Sequence, residues 1–215
     1  MPRTEPFEVH ADRYEEWFEV HEHEYAAEVE ALSRLVSDPD RGLEIGVGSG
    51  RFAEPLGFQY GVDPTAQMLA RARDRGVEVV RGVAEALPFR DGVFDAALIV
   101  TTICFVDDVA QTLAEARRVL DADGALVLGY IDRASPVGEL YRETKDENPF
   151  YRHATFVSTG ELVAALETAG FGDVEFVQTI YHPPGAVGPD EPVEEGHGDG
   201  SFVGVSARPA SPPHG

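Results

Sequence analysis

The sequence predicts an α/β protein with a Rossmann-like, doubly wound sheet of seven strands, mostly parallel with an antiparallel seventh strand, and helices on both faces. Three observations predict it. Short apolar runs alternate with helical patterns between residues 42 and 131, a glycine-rich turn follows the first run, and a single acid ends the second. This alternation of strand and helix implies a parallel sheet with right-handed crossovers.

The first predicted elements lead into the glycine turn. Residues 10–36 are predicted to be helical because apolar side chains recur every three or four positions between acids, and Asp38-Pro39-Asp40 ends this helix. The first strand is expected at 42–46, a helix at 50–56 and the second strand at 59–63.

The middle of the chain continues the alternation. Asp63-Pro64-Thr65 opens a helix, since aspartate or threonine can cap it and proline suits its first turn. Residues 77–80 form the third predicted strand. Residues 94–101 form the fourth, whose nearly continuous apolar character predicts burial on both faces. Asp107 or Asp108 is expected to cap the helix that follows.

The remaining elements are assigned by the same signals. Residues 125–131 are the fifth strand, and the segment 131–157 that follows is rich in aromatics and includes one short helix. The last helix and two strands are predicted at 161–169, 174–181 and 201–207. We expect one domain over 1–208. It includes a helical N-terminal cap at 1–40 and substrate-side insertions at 131–157 and 182–200, and a disordered tail at 209–215 follows it.

Charge and cysteine content restrict the partners. The chain has 39 acidic and 17 basic residues, a net charge of −22, and Lys145 as its one lysine. Such an acidic surface suggests adaptation to high salt, where screening weakens self-repulsion. Nucleic-acid binding requires clustered basic residues, and none are evident, so we expect no nucleic-acid partner. The single Cys104, the lack of a secretory pattern and the lack of a long apolar run predict a soluble cytoplasmic protein without membrane contact.

The glycine turn indicates which cofactor the sheet holds. Gly46, Gly48 and Gly50 alternate after the first strand, and Asp63 follows 17 residues after the first of them. Glycines let the backbone pass close to a ligand, and a carboxylate at the next strand end accepts both ribose hydroxyls. A dinucleotide fingerprint requires glycine where this chain has Arg51. The spacing therefore favours S-adenosylmethionine, which has no pyrophosphate to place on a helix N-terminus.

Five motifs in order extend this interpretation. The chain resembles the class I S-adenosylmethionine-dependent methyltransferases of the small-molecule type, similar to the ubiquinone/menaquinone biosynthesis enzymes, over residues 40–181. The resemblance is carried by Glu44-x-Gly46-x-Gly48-x-Gly50, Gly61-Val62-Asp63-Pro64 with Met68-Leu69, Gly82–Phe89, Phe94-Asp95-Ala96-Ala97, and Ala116–Leu120 with Gly124.

The resemblance implies a role for each matching residue. Gly46, Gly48 and Gly50 belong to the cofactor turn, and Glu44 is expected to help bind the ammonium group of the cofactor, directly or through water. Asp63 is expected to bind the ribose diol. Met68 is expected to pack against the adenosine, and Ala84 and Glu85 are expected at the edge of the adenine. Thr101 is expected near the sulfonium. Met68 is equally consistent with plain core packing, and the family often has aspartate where this chain has Gly82 or Val83.

Catalysis needs little beyond alignment, since a sulfonium methyl is already activated. A general base matters only where the acceptor keeps its proton at neutral pH. Weak candidates near the predicted mouth of the site are Asp132, His153, His182 and His197. Tyr14 and Trp17 on the N-terminal helix are candidates for a lid over the cofactor, and no metal site is predicted.

Three functions are compatible with these residues. The first is an enzyme that transfers a methyl group from S-adenosylmethionine to a small-molecule acceptor, leaving S-adenosylhomocysteine. The second is a non-catalytic S-adenosylmethionine-binding sensor or partner protein. An NAD-dependent oxidoreductase is disfavoured by Arg51. The sequence assigns neither the acceptor nor the oligomeric state.

Overall fold

The fold is described from a computed structural model that covers residues 4–210, without the side chains of Glu5 and Glu147. One sheet has the strand order β3-β2-β1-β4-β5-β8-β6-β7. Its strands are β1 Gly42–Ile45, β2 Tyr60–Asp63, β3 Glu78–Arg81, β4 Phe94–Val100, β5 Leu120–Ile131, β6 Phe171–Thr179, β7 Glu194–Glu195 and β8 Phe202–Pro209. The helices are α1 Glu5–Val9, α2 Ala11–Val20, α3 Glu22–Ser33, α4 Ala66–Asp74, α5 Val109–Val119, α6 Pro136–Thr144 and α7 Thr159–Thr168, with a 3-10 turn at Lys145–Glu147.

The doubly wound prediction is confirmed. The first five strands pair in parallel, and β8 pairs antiparallel with both β5 and β6. Alternate residues of β4 face opposite layers: Ala97 and Ile99 pack with α5 and α7, whereas Leu98 and Val100 pack with α3 and α4. Burial on both faces explains why this strand is apolar along its length.

Strand ends and helix caps follow the predicted signals closely. The Asp108 side chain accepts a hydrogen bond from the Gln111 amide at the start of α5. Ser158 and Glu161 form a reciprocal capping box at the start of α7. The seven predicted strands are present, and the two-residue β7 adds an eighth to the sheet.

Three local predictions were wrong. The helix predicted over 10–36 is divided into α2 and α3 at His21, whose Nδ1 bonds to the Trp17 carbonyl oxygen at 2.9 Å and whose ring stacks on Trp17. Residues 51–57 form consecutive turns instead of a helix, because Pro55 has no amide hydrogen for a helical ladder. Finally, β8 extends to Pro209, one residue into the predicted tail, and residues 211–215 lie outside the described part of the chain.

Candidate functional site

A deep cleft lies at the carboxyl edge of the parallel strands, where the segments after β1, β2, β3 and β4 meet. Most of the predicted cofactor contacts line it. They are Gly46, Gly48, Asp63, Met68, Ala84, Glu85 and Thr101, together with both lid candidates, Tyr14 and Trp17. Residues far apart in the sequence are therefore brought to one side of the sheet, as the position of ligands in open α/β sheets predicts.

The glycine turn packs tightly against the end of β4. Gly46 has a φ of 76°, and a Cβ added there would lie 2.3 Å from Oγ1 of Thr102. The amides of Gly46 and Val47 both donate to the Val62 carbonyl oxygen, at 2.7 Å and 3.0 Å, which joins the turn to β2. The close approach of backbone and Thr102 leaves no room for any other residue at position 46.

Asp63 lies at the end of β2 with both carboxylate oxygens oriented by backbone amides. Gly48 donates to Oδ2 at 3.1 Å, and Thr65 donates to Oδ1 at 2.7 Å. Burial raises the pKa of Asp63, and these amide hydrogen bonds oppose the rise. Each oxygen keeps a further lone pair, so a buried carboxylate that lines the cleft can still accept two hydroxyl groups.

Two predicted contacts lie outside the cleft lining. A Cβ on Gly50, whose φ is 83°, would lie 3.2 Å from the backbone of Ala72, so this glycine lets the turn pack on α4. Glu44 is buried in β1, and its Oε2 has no hydrogen-bond partner among the described residues. Burial raises the pKa of Glu44 well above its ordinary value. A direct cofactor contact from either residue stays a prediction.

The segment after β3, where the resemblance implies the adenine, lines one part of the cleft. Ala84 and Glu85 line it, and Met68 is 1% exposed beneath it. The Glu85 Oε1 already accepts the Asp107 amide at 2.7 Å, which fastens this segment to the loop before α5. The expected hydrogen bond from Glu85 to an adenine amine would therefore have to use the other oxygen.

Thr101 directly follows β4 and lines the cleft. Its φ of 48° places a β-branched residue in the left-handed region, and its amide donates to the Gly129 carbonyl oxygen at 2.7 Å. A non-glycine residue held in this conformation stores backbone strain, which clusters at functional sites.

Aromatic side chains enclose another part of the cleft. We call Phe7, Tyr14, Phe105, Phe150 and Tyr151 the aromatic cap, all of which line the cleft. Phe7 lies at its centre, with ring centroids 5.6 Å from Tyr14, 5.2 Å from Phe105 and 5.4 Å from Phe150. These rings come from α1, α2, the loop after β4 and the segment after α6, so the cap depends on tertiary packing.

The helix that carries Tyr14 and Trp17 is fastened by ion pairs. Glu15 accepts hydrogen bonds from Arg51 and from Arg75, the latter at 2.6 Å. Arg71 pairs with Asp12 on the same helix. Two arginines of α4 and its C-terminus are therefore engaged within the protein.

The four weak base candidates do not line the cleft. Asp132 is 2% exposed and accepts hydrogen bonds from the Ala134 amide and the Thr159 hydroxyl, so it orders the segment after β5. His182 pairs with Glu191 in an exposed position, and the His197 ring packs on Phe176. His153 is exposed. A general-base role for any of these four residues stays a prediction.

The two insertions also differ. Segment 131–157 supplies Asn148, Phe150 and Tyr151 to the cleft, as expected. No residue of 182–200 lines it; this loop packs against α3, where the Gly185 amide donates to Oε1 of Glu24 at 2.8 Å. The physical reason is strand order, because β6 is separated from β4 by β5 and β8.

Glu28 on α3 also lines the cleft, and it was not among the residues that the sequence indicated. It is 7% exposed, lines the cleft, and makes no hydrogen bond within residues 4–210. Burial, with a smaller contribution from Glu24, raises its pKa to about 8. A signal was available: Glu24 and Glu28 share one helical face with Ala27 and Ala31, and all four are buried.

The residues present fit an adenosine-containing cofactor with a positively charged group. Asp63 offers free acceptor lone pairs, and Gly46 and Gly48 bring backbone without a side chain to the cleft. The buried Oε2 of Glu44 has no hydrogen-bond partner among the described residues. A cationic ligand nearby would stabilise the charged form of Glu44.

Comparison with known proteins agrees with this geometry. A profile for "Methyltransferase domain" matches residues 43–128. The crystal structure of a Thermotoga maritima protein described as an S-adenosylmethionine-dependent methyltransferase, possible histamine N-methyltransferase, is 45% identical, covers 95% of this chain and 98% of its own, and has a TM-score of 0.92. The chain belongs to the S-adenosylmethionine-dependent methyltransferases.

Relatives from curated sequences extend the comparison. An uncharacterized protein of Methanocaldococcus jannaschii is 41% identical over 202 residues, which is 94% of this chain and 98% of the relative. A malonyl-[acyl-carrier protein] O-methyltransferase of Geobacter sulfurreducens is 32% identical over 170 residues, 68% of this chain and 62% of that protein. The cofactor is S-adenosylmethionine and its product S-adenosylhomocysteine. The narrower likeness to the ubiquinone/menaquinone enzymes stays a prediction.

Proposed function

We propose that this protein transfers a methyl group from S-adenosylmethionine to a small-molecule acceptor by in-line displacement, mainly through proximity and orientation. The supporting observation is that one cleft joins two different environments. Asp63, the glycine turn and Thr101 line it together with the aromatic cap.

Different residues of the chain bind the cofactor and the acceptor. When bound, S-adenosylmethionine supplies an activated sulfonium methyl group. Asp63 orients the ribose through a carboxylate whose own position is fixed by the Gly48 and Thr65 amides. The aromatic cap excludes water and holds the acceptor against the methyl group. Holding two reactants at about 3 Å in line supplies much of the rate enhancement of such a reaction.

The acceptor is proposed to be a small molecule and not a nucleic acid. Of the three neighbouring arginines Arg71, Arg73 and Arg75, two, Arg71 and Arg75, are bound to Asp12 and Glu15. They are therefore not available to neutralise phosphates. No helix within residues 4–210 is long and apolar enough to cross a membrane.

Calorimetric titration with S-adenosylhomocysteine tests the cofactor site. We expect micromolar binding that Asp63→Ala weakens by about a hundredfold or more, because two charge-assisted hydrogen bonds to the ribose are lost. Asp74→Ala removes the same charge from an exposed helix end and serves as the matched control. Equal binding by wild type and Asp63→Ala, with both proteins folded, would contradict the proposal.

The alternative is a non-catalytic S-adenosylmethionine-binding sensor or partner protein. It predicts the same titration, and a mouth filled by side chains would favour it. The aromatic cap instead surrounds open space that reaches Glu28 and Asn148. Transfer of a radiolabelled methyl group to any member of a small-molecule panel would exclude the sensor.

A further inference from the structure

We propose that Glu28 binds the nitrogen of an amine acceptor and takes up its proton before methyl transfer, so that the acceptor is a small, partly apolar amine. This inference rests on the methyl transfer proposed above. It assigns a substrate class and a catalytic base to the half of the cleft that the cofactor motifs leave unexplained.

The first support is the isolation of the Glu28 carboxylate. It is 7% exposed and lines the cleft, yet no side chain or amide of residues 4–210 bonds to it. Glu24, one turn earlier and equally buried, instead accepts the Gly185 amide at 2.8 Å. The buried side-chain atoms without a partner among the described residues belong to Glu15, Glu44 and Ser49, so the Glu28 oxygens are accessible from the cleft. A residue kept in that state toward a cleft is suited to a ligand that supplies the missing donor.

The second support is the charge of the cleft. Its ionisable carboxyl side chains are Asp63, Glu28 and Glu85, and no lysine, arginine or histidine of the described chain lines it. An acceptor with a phosphate or carboxylate would meet only like charge and no counter-ion. A cationic acceptor gains from the same field.

The third support is the aromatic cap. Tyr14, Phe150 and Tyr151 line the cleft together with Glu28. Aromatic faces attract cations, and they also bury the carbon skeleton of an amine. A carboxylate among aromatic rings binds an alkylammonium ion through both its charge and its apolar body.

The titratable groups that act on Glu28 come from three elements and the segment after them. Burial, and then Glu24 on α3, raises the pKa of Glu28; burial is also the main cause of the raised pKa values of Tyr14 on α2, Tyr141 on α6 and Tyr151, to which Glu28 adds a smaller contribution. With a pKa of about 8, Glu28 is a far stronger base than an ordinary carboxylate.

The proton and electron balance is simple. The ammonium ion binds beside Glu28 and gives one proton to the carboxylate, which frees the nitrogen lone pair. That lone pair forms the new carbon–nitrogen bond while the electron pair of the carbon–sulfur bond stays on sulfur. The methylated ammonium ion leaves, and Glu28 keeps the transferred proton, as in the free enzyme, because the one proton that the reaction releases went to solvent when the ammonium ion bound.

The test is a titration of the full chain, saturated with S-adenosylhomocysteine, with four amines: butylamine, phenethylamine, histamine and tryptamine. Phenethyl alcohol and 3-phenylpropanoic acid are the neutral and anionic analogues. We expect at least one amine to bind about tenfold more tightly than the analogues, because it forms a charge-assisted hydrogen bond. Glu28→Gln should remove that preference, and Glu30→Gln, at an exposed position of the same helix, should keep it within about twofold.

Proton release gives a second readout, which a purely structural role would not change. Near pH 7 the free Glu28 is mostly protonated, and pairing with an ammonium ion requires its charged form. Binding should therefore release close to one proton per amine, measured by titration in two buffers of different ionisation enthalpy, and Glu28→Gln should release none.

Two results would overturn the proposal. One is that no amine binds better than the analogues; the other is that Glu28→Gln binds amines as wild type does. Retained S-adenosylhomocysteine binding by Glu28→Gln shows that the variant is folded. If the wild-type protein did not bind S-adenosylhomocysteine, the proposed methyl transfer itself would be contradicted. The failures of the two proposals are therefore distinguishable.

Discussion

The Arg51 guanidinium binds the carboxylate of Glu15 through two hydrogen bonds, from Nε at 3.0 Å and from Nη2 at 2.7 Å. Arg51 directly follows the glycine turn, and Glu15 lies on α2 between the two lid candidates, Tyr14 and Trp17. The same position would be glycine in a dinucleotide-binding turn. In this protein its side chain joins the cofactor turn to the helix that covers it.

The first prediction concerns this connection. Glu15→Gln keeps the shape of the side chain and removes its charge, so α2 should be held less firmly over the cleft. We expect S-adenosylhomocysteine affinity to fall about three- to tenfold, since roughly 1 kcal/mol of charge-assisted bonding is lost. Calorimetric titration measures it, and Glu16→Gln, at the neighbouring exposed position, is the control. Unchanged affinity in Glu15→Gln would show that the ion pairs do not hold the lid.

The second prediction separates backbone strain from steric conflict in the glycine turn. Gly46 and Gly76 both have positive φ, 76° and 88°, but only the Cβ at position 46 would collide with a neighbour, Thr102. Gly76→Ala should cost about 1 kcal/mol of unfolding free energy from its backbone alone. Gly46→Ala should cost about 1–3 kcal/mol more, because the side chain overpacks.

Urea unfolding of both variants measures the difference. Gly46→Ala should also lose S-adenosylhomocysteine binding, while Gly76→Ala should keep it. Equal destabilisation by the two substitutions would mean that the contact with Thr102 relaxes freely.

The third prediction is a pH dependence of stability that arises from Glu28. Its pKa rises from 4.5 to about 8 on folding, so the unfolded state loses its proton first. Stability contributed by the protonated side chain is complete below pH 4.5 and is lost as the pH rises through about 8. Glu28→Gln should therefore be more stable than wild type by roughly 2–4 kcal/mol at pH 9 and nearly equal to it at pH 4.

Urea unfolding at pH 4 and pH 9 measures the difference in unfolding free energy between Glu28→Gln and wild type. Glu30→Gln, on the exposed side of the same helix, should change by less than about 0.5 kcal/mol at either pH. A Glu28→Gln variant that is destabilised more at pH 9 than at pH 4 would show that the carboxylate has a stabilising partner.

The fourth prediction concerns the net charge of −22. The screening length falls from about 10 Å at 0.1 M salt to about 3 Å at 1 M, so self-repulsion among the acids should weaken. We expect the thermal midpoint to rise over that range of NaCl. A variant with Glu8, Glu16 and Glu19, all exposed, changed to glutamine should rise less. A midpoint that falls with salt would count against adaptation to high salt, which, like a cytoplasmic location, stays a prediction.

Local signals predicted the cofactor half of the cleft well. The glycine turn and Asp63 are fixed by strand ends and turn chemistry, which act over a few residues. The parallel sheet then requires these ends to meet at one edge. The sequence interpretation therefore expected Asp63 and Thr101 at this edge, where both line the cleft, without any knowledge of long-range packing.

The acceptor half could not be predicted in the same way. Phe7, Phe105 and Phe150 meet only because α1, the loop after β4 and the segment after α6 pack together. Glu28 was missed because an acid on an amphipathic helix usually faces solvent. The alanines on its helical face were the signal that it does not.

Strand order explains why loop 182–200 and its two histidines do not line the cleft. Loop 182–200 leaves the correct edge of the sheet, but β6 is three strand positions from β4, about 14 Å at the usual spacing. His182 and His197 were expected near the mouth from edge polarity alone. The direction of a strand predicts the edge of the sheet at which its loop emerges, but it does not predict how many strands separate that loop from the cleft.

The position of β8 between β5 and β6 has a consequence for the order of folding. Because β5 and β6 are not paired to each other, β5 has only β4 beside it and β6 only the two-residue β7 until residues 202–209 have left the ribosome. During synthesis the first five strands can associate early, whereas β6 must wait with open edges. Slow translation or truncation before this last strand should therefore expose the nascent chain to aggregation and to chaperone capture.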